Sequence, residues 1–536
     1  MRLFGHTIYP IKNNLFKKMN KKLLPFVIFG SIALGYALAV LILSGQNINE
    51  SYQSKNKINK LIEYINRDYF EAVKTDSIVD LTVNEILAKL DPHSVYINSS
   101  EAVVSQDQMR GDFVGIGINF YQHKDTVAVI KNVKGGPAEL AGIQSGDRIL
   151  FAEKKKLYGA KIPQDTLFKY LKGEVDSKVN LTVYRKSENK KFVTQLTRNV
   201  VPIKSVETAI LIDEKTGYIK VSRFAESTYD EFKTALNKLL KQKINQLVID
   251  LRDNTGGYLE IANQMVDEFL DEKKIIVKIK NKNGQVDTTY ASNKGAFLKG
   301  KLFVLVNENS ASASEVFAGA IQDNDRGTII GRKTFGKGLV QKEMPLGDGS
   351  LVRLTIAKYY TPSGRSIQKP YENGKSEDYY NFHAFSNKEL FYKDSIKVYD
   401  SLKYKTLKGR TVYGGGGIIP DIFVPLNKKF EKDHVLMMLN SPIFSYFIFE
   451  YLDKNRKLFN KYKLTQIKEE IYKDDKLFND FVQYTSNNQA NILKTIKDNK
   501  AYFQHQLYAE MVRQLFNDDL YYKILLEKDD MMSQIK

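Results

Sequence analysis

The chain has 536 residues, which is too long for one ordinary domain and indicates about three or four. With 43% hydrophobic and 12% aromatic residues it can form hydrophobic cores, so extensive disorder is excluded. It contains no cysteine, which excludes disulfides, thiolate metal sites and a cysteine nucleophile.

The formal net charge is +19, from 81 Lys and Arg against 62 Asp and Glu. A positive balance of this size can indicate nucleic-acid binding. The basic residues are scattered among the acids, without a basic stripe, interleaved aromatics or a recognition motif, so we expect no nucleic-acid partner. A basic surface beside an anionic membrane accounts better for the charge.

The N-terminal segment predicts a membrane element. Residues 23–43, "LLPFVIFGSIALGYALAVLIL", carry no charge and are long enough to cross a bilayer of about 30 Å. By the positive-inside rule, the basic residues before this run place residues 1–22 in the cytoplasm. These basic residues are Arg2, Lys12, Lys17, Lys18, Lys21 and Lys22. We predict an uncleaved inner-membrane anchor, with a cleaved signal peptide as the alternative. Either way, the rest of the chain would lie outside the cytoplasm, in the cell envelope or periplasm.

Residues 57–105 begin with a helical pattern. Apolar residues recur at intervals of three and four between positions 58 and 90. The segment "LDPHSVYI" then ends the helix, because Pro92 cannot continue it. His93 lies in this turn, and since there is no HExxH motif or paired-histidine spacing, we interpret it as structural. We predict no metal and no cofactor.

Residues 110–200 are rich in glycine and in strand patterns. "GDFVGIGINF" and "DTVAVIKNV" predict strands, and "GGPAELAGIQSGDRILFAE" predicts a turn, a short helix, a turn and a strand. "KVNLTVYR" and "KFVTQLTR" predict a terminal strand pair. This stretch resembles a PDZ domain, with a generic glycine-rich β domain as the alternative.

The resemblance to a PDZ domain implies a peptide-binding role. It implies that Gly115, Ile116, Gly117 and Ile118 match the loop whose backbone N–H groups hold the terminal carboxylate of a peptide. The peptide would add as a strand to an edge of the sheet, with an apolar pocket for its last side chain.

Residues 201–425 alternate between strand and helix patterns. Apolar runs such as "INQLVIDLR" and "KLFVLVNEN" are followed by helical patterns, which favours an α/β fold with a largely parallel sheet covered by helices. Residues 427–536 are helix-like and rich in Lys, Phe and Tyr. We interpret them as a helical extension that packs on the core or on a partner, as an oligomer contact or an adaptor site.

Three serines spaced two apart lie between a strand pattern and a helix pattern in "NENSASASEVFAGAIQDNDRG", residues 307–327. If the helix begins near Ser310, its first N–H groups lack intrahelical partners and lie at the positive end of the helix dipole. A serine there has donors ready for an oxyanion on a carbonyl that it attacks. The alternative is that the serine only caps the helix.

A base for such a serine is available in "TFGKGLVQ". Lys337 lies between two glycines, and Gln341 follows four residues later. On a strand the two side chains would share a face, so the amide could hold the amine. A lysine acts as a general base only when it is neutral, and burial lowers its pKa toward that state. Ser–Lys pairs are a known variant of the catalytic triad. The alternative is a surface lysine beside an ordinary strand glutamine.

Six motifs carry a resemblance to a known family: "LDPHS", "DLRDNTGG", "SASASE", "TFGKGLVQ", "YYTPSGRSI" and "GGGIIPD". With these motifs, residues 57–425 resemble the carboxy-terminal processing proteases, also called tail-specific proteases, a family of serine peptidases. The resemblance implies an α/β fold with a crotonase-like protease core at 201–425 and an inserted PDZ domain. The N-terminal transmembrane helix and the helical C-terminal extension complete the predicted architecture.

The same resemblance implies the catalytic roles. Ser312, the middle serine, would be the nucleophile. Lys337, at a separation of 337 − 312 = 25 residues, would be the general base, and Gln341 would orient the lysine.

Two further roles concern the surroundings of the nucleophile. The oxyanion donors would be the N–H of Ala313 and one from the glycine turn after "VIDLRDN", where we prefer Gly257 to Gly256. Ser310 would cap the helix and Ser314 would be a supporting hydroxyl.

These inferences predict a membrane-anchored serine endopeptidase whose PDZ domain captures substrate C-termini or gates the site. One alternative is a catalytically silent PDZ scaffold of the cell envelope, against which the intact Ser312, Lys337 and Gln341 set argues. The other is a Ser–Lys acyl hydrolase acting on cell-wall amides or esters. The penicillin-binding motif set that such an enzyme needs is not assembled in this sequence.

Overall fold

The structure is a computed structural model of the chain, and it describes residues 24–372, 379, 388–430, 433–439, 441–486 and 492–535. The chain divides into two compact units, Met1–Val83 and Asn84–Lys536.

The first unit contains helix α1 (Leu24–Asp68) and most of α2 (Thr75–Ala88). The predicted transmembrane helix at 23–43 was wrong: within the described part of the chain, no helix is both long and apolar enough to cross a membrane. A span needs about 20 consecutive apolar residues, whereas α1 continues into the polar segment "NESYQSKNKINK" within one 45-residue helix. Residues 1–22, predicted to be cytoplasmic, lie outside the described residues.

The second unit begins at the end of α2 and continues through β1 (Val95–Ile97) and α3 (Ser99–Arg110). The side chain of Asn98 accepts a hydrogen bond from the Glu101 N–H and so caps the start of α3. Gly111 ends the helix with a positive φ of 92°, a conformation that glycine adopts without steric cost.

A small β domain follows, in which the predicted strands and the predicted short helix occur in the expected order. Its main sheet is antiparallel, and an apolar cluster lies between that sheet and the two short helices. The elements are β2 (Asp112–Gly115), β3 (Ile118–His123), β4 (Thr126–Asn132), α4 (Pro137–Leu140), β5 (Asp147–Ala152), β6 (Lys155–Lys156), α5 (Gln164–Leu171), β7 (Lys178–Arg185), β8 (Lys190–Thr197) and β9 (Asn199–Pro202). Strand β6, the second helix α5 and strand β9 were not predicted. The sheet order is β3-β4-β5-β7-β8, so β3 lies at one edge.

The largest core belongs to a six-stranded sheet covered by helices. Its elements are β10 (Val206–Leu211), β11 (Thr216–Val221), α6 (Thr228–Leu240), β12 (Gln246–Asp250), α7 (Leu259–Asp267), β15 (Lys301–Val306), α8 (Ala313–Asp323), β16 (Thr328–Gly331) and β21 (Ile422–Phe423). The order is β10-β11-β12-β15-β16-β21, and only β10 is antiparallel to its neighbour. Strands β12 and β15 are buried apolar runs, as a parallel sheet with both faces covered requires.

A second sheet packs on helices α7 and α8 of the first layer. It contains β1, β13 (Ile275–Asn281), β14 (Val286–Tyr290), β17 (Leu339–Pro345) and β18 (Leu351–Tyr360), in the order β1-β18-β13-β14 with β17 paired to β18. Because β1 pairs with β18, the "LDPHS" segment lies beside the strand pair that carries Gln341. A separate hairpin joins β19 (Lys403–Lys405) to β20 (Thr411–Tyr413).

The C-terminal part is a bundle of helices with its own core, and we call residues 433–526 the helical region. Phenylalanine, leucine and isoleucine side chains dominate this core. The helices are α9 (Asp433–Leu439), α10 (Ile443–Lys454), α11 (Arg456–Phe459), α12 (Leu464–Tyr472), α13 (Lys476–Ser486), α14 (Leu493–Asp498), α15 (Lys500–Leu515) and α16 (Asp518–Leu526).

The "YYTPSGRSI" motif supplies a buried ion pair, and we expect it to be structural. Arg365 and Asp323 are both fully buried, and their side chains lie 2.8 Å apart. Replacing Arg365 with Met leaves the Asp323 carboxylate buried without its cation, so the free energy of unfolding should fall by about 3–5 kcal/mol. Urea unfolding of the full chain measures this loss.

The matched control is Lys454→Met, which removes a 3.9 Å ion pair with Asp480 from a side chain that is 69% exposed. The control should change the free energy of unfolding by less than about 1 kcal/mol. Equal effects of the two substitutions would contradict the structural role assigned to Arg365.

Candidate active site

Ser312 lies at the turn between β15 and α8, where the backbone is strained. Its φ is +56° and its ψ is −115°, in a region that non-glycine residues rarely adopt. The helix begins at Ala313, so Ser312 itself is the N-cap and the predicted start near Ser310 was three residues too early. Ser312 and Glu315 form the capping-box pattern at the start of α8, in which the Glu315 side chain accepts from the Ser312 N–H at 2.9 Å.

The buried Glu315 carboxylate joins the serine segment to the lysine segment. One oxygen accepts hydrogen bonds from the Ser312 N–H at 2.9 Å and the Lys337 N–H at 2.8 Å. The other accepts from the Thr334 hydroxyl at 2.5 Å and the Gly336 N–H at 2.7 Å. Burial raises the pKa of Glu315 to about 7, while these four donors favour the ionised form. Because both oxygens act only as acceptors, the ionised carboxylate is the form that satisfies all four donors.

Our sequence reasoning missed Glu315. The residue is present in the quoted motif "SASASE", but a Glu three residues after a serine is also the ordinary pattern of a helix capping box. Its complete burial, and its contact with the "TFGKG" segment, depend on tertiary packing.

Lys337 and Gln341 contact each other as predicted. The Lys337 Nζ donates to the Gln341 Oε1 at 2.7 Å. Lys337 precedes β17 rather than lying on it, so the flexible lysine chain, not a shared strand face, brings the two together. Burial, assisted by the positive charge of Arg353, lowers the pKa of Lys337 to about 8. The amine makes no hydrogen bond to Ser312 within the described residues.

The "LDPHS" turn supports Gln341. The Gln341 Nε2 donates to the His93 carbonyl oxygen. The Asp91 carboxylate holds this turn, because it accepts from the N–H of His93 at 2.9 Å and of Ser94 at 3.0 Å. Burial, with the Lys337 charge nearby, lowers the pKa of the His93 ring to about 3, so the ring is neutral at ordinary pH. Within the described residues, no group of three or more His, Asp and Glu side chains could hold a metal ion.

The glycine turn that follows β12 lies beside Ser312. A Cβ on Gly256 would be 2.8 Å from the Ser312 Cβ and 3.1 Å from the Ala313 N, so only glycine fits there. The Gly256 N–H donates to the Asn254 side chain at 2.9 Å and is already used. The N–H groups of Gly257 and Ala313 donate no hydrogen bond within the described residues. This difference favours Gly257 over Gly256, and the role itself stays a prediction.

Ser310 and Ser314 fasten the serine segment to the turn after β12. The Ser310 hydroxyl donates to the Leu251 carbonyl oxygen at 2.8 Å, and the Ser314 hydroxyl donates to the Asn254 carbonyl oxygen at 2.8 Å. Both serines are fully buried. Ser310 is therefore a tether between two loops instead of a helix cap.

Ion pairs hold the "DLRDN" segment in place. The Arg252 guanidinium pairs with Asp250 at 2.6 Å and with Asp529, near the C-terminus, at 2.6 Å. Although burial opposes ionisation, the charges of Arg252 and Lys220 keep the pKa of Asp250 below its usual value. These ion pairs fix the turn that leads to Gly256 and Gly257.

The predicted carboxylate-binding loop lies between β2 and β3, apart from the serine. The carbonyl oxygens of Ile116 and Gly117 accept hydrogen bonds from the Ala138 N–H at 2.8 Å and the Val133 N–H at 2.9 Å. The N–H groups of Ile116 and Gly117 donate none within the described residues, as a loop that binds an anion requires. Gly115 ends β2 and Ile118 begins β3.

Comparison with models of known protein families identifies the class of protein. Residues 215–380 match the model of peptidase family S41, and residues 114–196 match that of the PDZ domain. Residues 435–517 match a family of unknown function. The chain is therefore a peptidase of the serine type with a PDZ domain.

Similar proteins show the family to which the chain belongs. The chain is 33% identical over 414 residues to a probable CtpA-like serine protease of Staphylococcus aureus (strain COL), which covers 74% of this chain and 81% of that protein. It is 32% identical to the carboxy-terminal-processing protease of Bartonella bacilliformis, over 65% of this chain and 81% of that protein. The chain belongs to peptidase family S41, with the carboxy-terminal processing proteases. Among solved structures, the photosystem II D1 C-terminal processing protease matches at 26% identity over 71% of this chain and 90% of its own, with a TM-score of 0.35.

The role of the Glu315 carboxylate in positioning the site can be tested by substitution. Glu315→Gln keeps the shape, but turns one acceptor oxygen into an NH₂ donor that faces two backbone or hydroxyl donors. Since hydrogen bonds to a charged group contribute about 1.5–3 kcal/mol each, we expect kcat/KM for peptide cleavage to fall about 10- to 100-fold. Thermal unfolding of the same sample shows whether the variant is folded.

Glu308→Gln is the matched control, since its carboxylate lies in the same segment but faces Arg332. This control should keep most of the activity. A folded Glu315→Gln enzyme with unchanged kcat/KM would show that the carboxylate does not position the site.

Proposed function

We propose that the protein is an endopeptidase that hydrolyses peptide bonds with a Ser–Lys pair, after its PDZ domain has captured the C-terminus of the substrate. The observation that carries this proposal is the state of Lys337. Its buried amine has a pKa lowered to about 8, and its backbone shares the Glu315 carboxylate with Ser312.

The first half of the reaction forms an acyl-enzyme. The neutral Lys337 amine has two N–H bonds and a lone pair: one N–H donates to Gln341, and the lone pair accepts the Ser312 proton. The Ser312 oxygen then bonds to the substrate carbonyl carbon, whose oxygen takes up negative charge. The N–H groups of Ala313 and Gly257 would stabilise that oxyanion.

The second half releases both products. The C–N bond breaks as the Lys337 ammonium returns its proton to the leaving amine. A water then attacks the ester carbonyl while Lys337 takes its proton. The C–O bond to Ser312 breaks, the new carboxyl product leaves, and the serine regains its proton.

In this proposal, the PDZ domain selects the substrate. The N–H groups of Ile116 and Gly117 would bind the terminal carboxylate, and the edge strand β3 would pair with the substrate backbone. An extended, accessible C-terminus is therefore the feature that we propose the enzyme recognises.

The proposal places the activity outside the cytoplasm. It is supported by the six basic residues that precede the uncharged run at 23–43, a composition typical of an export signal. No part of the mechanism depends on a membrane anchor.

The catalytic pair is tested by substitution. Ser312→Ala and Lys337→Ala should each lower kcat by at least about 10³-fold, because either change removes a group that bonds to the reacting atoms. Cleavage of an unstructured polypeptide with an apolar C-terminus, followed by mass spectrometry, measures this. Lys337→Arg is the matched control: it keeps the positive charge but cannot lose a proton at working pH, so it should be as inactive as the alanine variant. Wild-type rates in Lys337→Ala would refute the assignment.

The pH dependence follows from the lowered pKa of Lys337. The base must be neutral, so activity is lost below its pKa and gained above it. With a pKa of about 8, kcat/KM should rise about 10-fold between pH 7 and 9 and then level off. The Glu315 carboxylate, with a pKa of about 7, must be ionised and reinforces the loss on the acid side.

The Arg353→Met variant tests whether Lys337 is the group whose titration controls the activity. Removing a positive charge that disfavours the ammonium should raise the pKa of Lys337 and move the rising limb to higher pH. A profile that is flat between pH 7 and 9, or one that Arg353→Met shifts to lower pH, would contradict lysine as the base.

A further inference from the structure

The edge strand of the PDZ domain borders a groove that the domain does not form alone. A cavity of about 400 Å³ lies along β3, and we call it the β3 groove. Its walls include Phe120 and Tyr121 on β3, Lys161 and Pro163 before α5, Leu167 on α5, and Tyr446. Tyr446 belongs to α10 of the helical region, more than 240 residues after the PDZ domain in the sequence.

Aromatic contacts join Tyr446 to the strand. The rings of Tyr446 and Tyr121 are stacked, with centroids 4.4 Å apart and an interplanar angle of 12°. Phe449, one turn further along α10, meets the Tyr121 ring edge-on at 5.2 Å. The Tyr446 ring is half-buried, so one part of it packs on Tyr121 while another part faces the groove.

Buried charges fix this arrangement. Asp453, at the end of α10, pairs with Arg148 at 2.8 Å and with Lys186 at 2.7 Å, both on the PDZ side. The Arg148 and Asp453 side chains are only 9% and 6% exposed. A buried pair of this kind is costly to break, so α10 is held firmly against the PDZ domain and Tyr446 is held at the groove.

The position of the groove along β3 determines which part of a bound peptide reaches it. This step rests on the proposed function, in which the terminal carboxylate binds at residues 115–118. The peptide must then run along β3 from Ile118 toward His123, and a strand advances about 3.3 Å per residue. The groove opens beside residues 120–122, which is two to four residues beyond Ile118. With the terminal residue beside Ile118, the groove therefore faces the third to fifth residue counted from the end of the peptide.

We propose that Tyr446 completes a second recognition pocket for the substrate tail, and that this pocket takes an aromatic side chain at the third, fourth or fifth position counted from the C-terminus. Three of the walls, Phe120, Tyr121 and Tyr446, are aromatic, and rings favour edge-on and offset-stacked contact with other rings. The cavity has room for such a side chain. The helical region thereby determines the specificity of a site whose carboxylate-binding loop lies in the PDZ domain.

Peptide binding to the full chain tests this proposal. The chain carries Ser312→Ala so that bound peptide is not cleaved. The probes are short fluorescent peptides of Gly, Ser and Ala that end in Val. One has no aromatic residue, and three others carry a single Phe at the third, fourth or fifth position from the end. Fluorescence anisotropy should show that at least one Phe peptide binds about 3- to 10-fold more tightly than the peptide without it.

Variants of the helical region decide the role of Tyr446. Tyr446→Ala should abolish the gain from Phe and leave the affinity for the peptide without Phe within about 2-fold. Tyr446→Phe should keep the gain, since it keeps the ring. Tyr472→Ala is the matched control, because Tyr472 lies on α12 and packs on Tyr508 within the helical region, and it should keep the gain as well.

Different outcomes of this experiment would refute the second pocket and the proposed function. If no Phe position improves binding, or if Tyr446→Ala keeps the full gain, the second pocket is refuted. Each probe is also made with a C-terminal amide. If the amides bind as tightly as the acids, carboxylate capture by the PDZ domain is refuted instead, whatever the effect of Tyr446.

Discussion

The arrangement of the active site depends on one buried carboxylate. Glu315 accepts hydrogen bonds from the backbones of both Ser312 and Lys337, two residues that come from different loops. Burying a charge is unfavourable, and the four hydrogen bonds that it accepts offset this penalty. The same bonds hold Ser312 in a backbone conformation that would otherwise relax. The Tyr359 hydroxyl, which lies 3.1 Å from the Ser312 carbonyl oxygen and 2.6 Å from that of Lys337, is a second link between the two segments.

Strand pairing brings the other segments of the active site close to one another. Because β12 and β15 are parallel neighbours, their carboxyl ends lie at one edge of the sheet, and the turn at 251–257 meets the serine segment there. The pairing of β1 with β18 brings the His93 carbonyl oxygen to Gln341. The site is thus assembled from short segments, each of which follows a strand or precedes one.

The helical region contacts the catalytic core as well as the PDZ domain. Asp453 pairs with Arg148 of the PDZ domain, and shortly after the helical region Asp529 pairs with Arg252 in the turn that leads to Gly256 and Gly257. The hydroxyl of Tyr522 donates to Glu207 on the edge strand β10. The chain from residue 433 onward, which carries no chemical motif, therefore contacts both the PDZ domain and the protease core.

The sequence by itself determined the alternation of strands and helices, the PDZ pattern and the contact between Lys337 and Gln341, because apolar periodicity and the spacing of a short motif are local properties. It misled us at residues 23–43, where an apolar run predicted a membrane span. Only the tertiary structure decided that Glu315 faces the lysine segment and that Tyr446 borders the β3 groove. The reason is physical: contacts between segments far apart in the chain depend on strand pairing and helix packing, and a residue's type does not reveal which partner its side chain will meet.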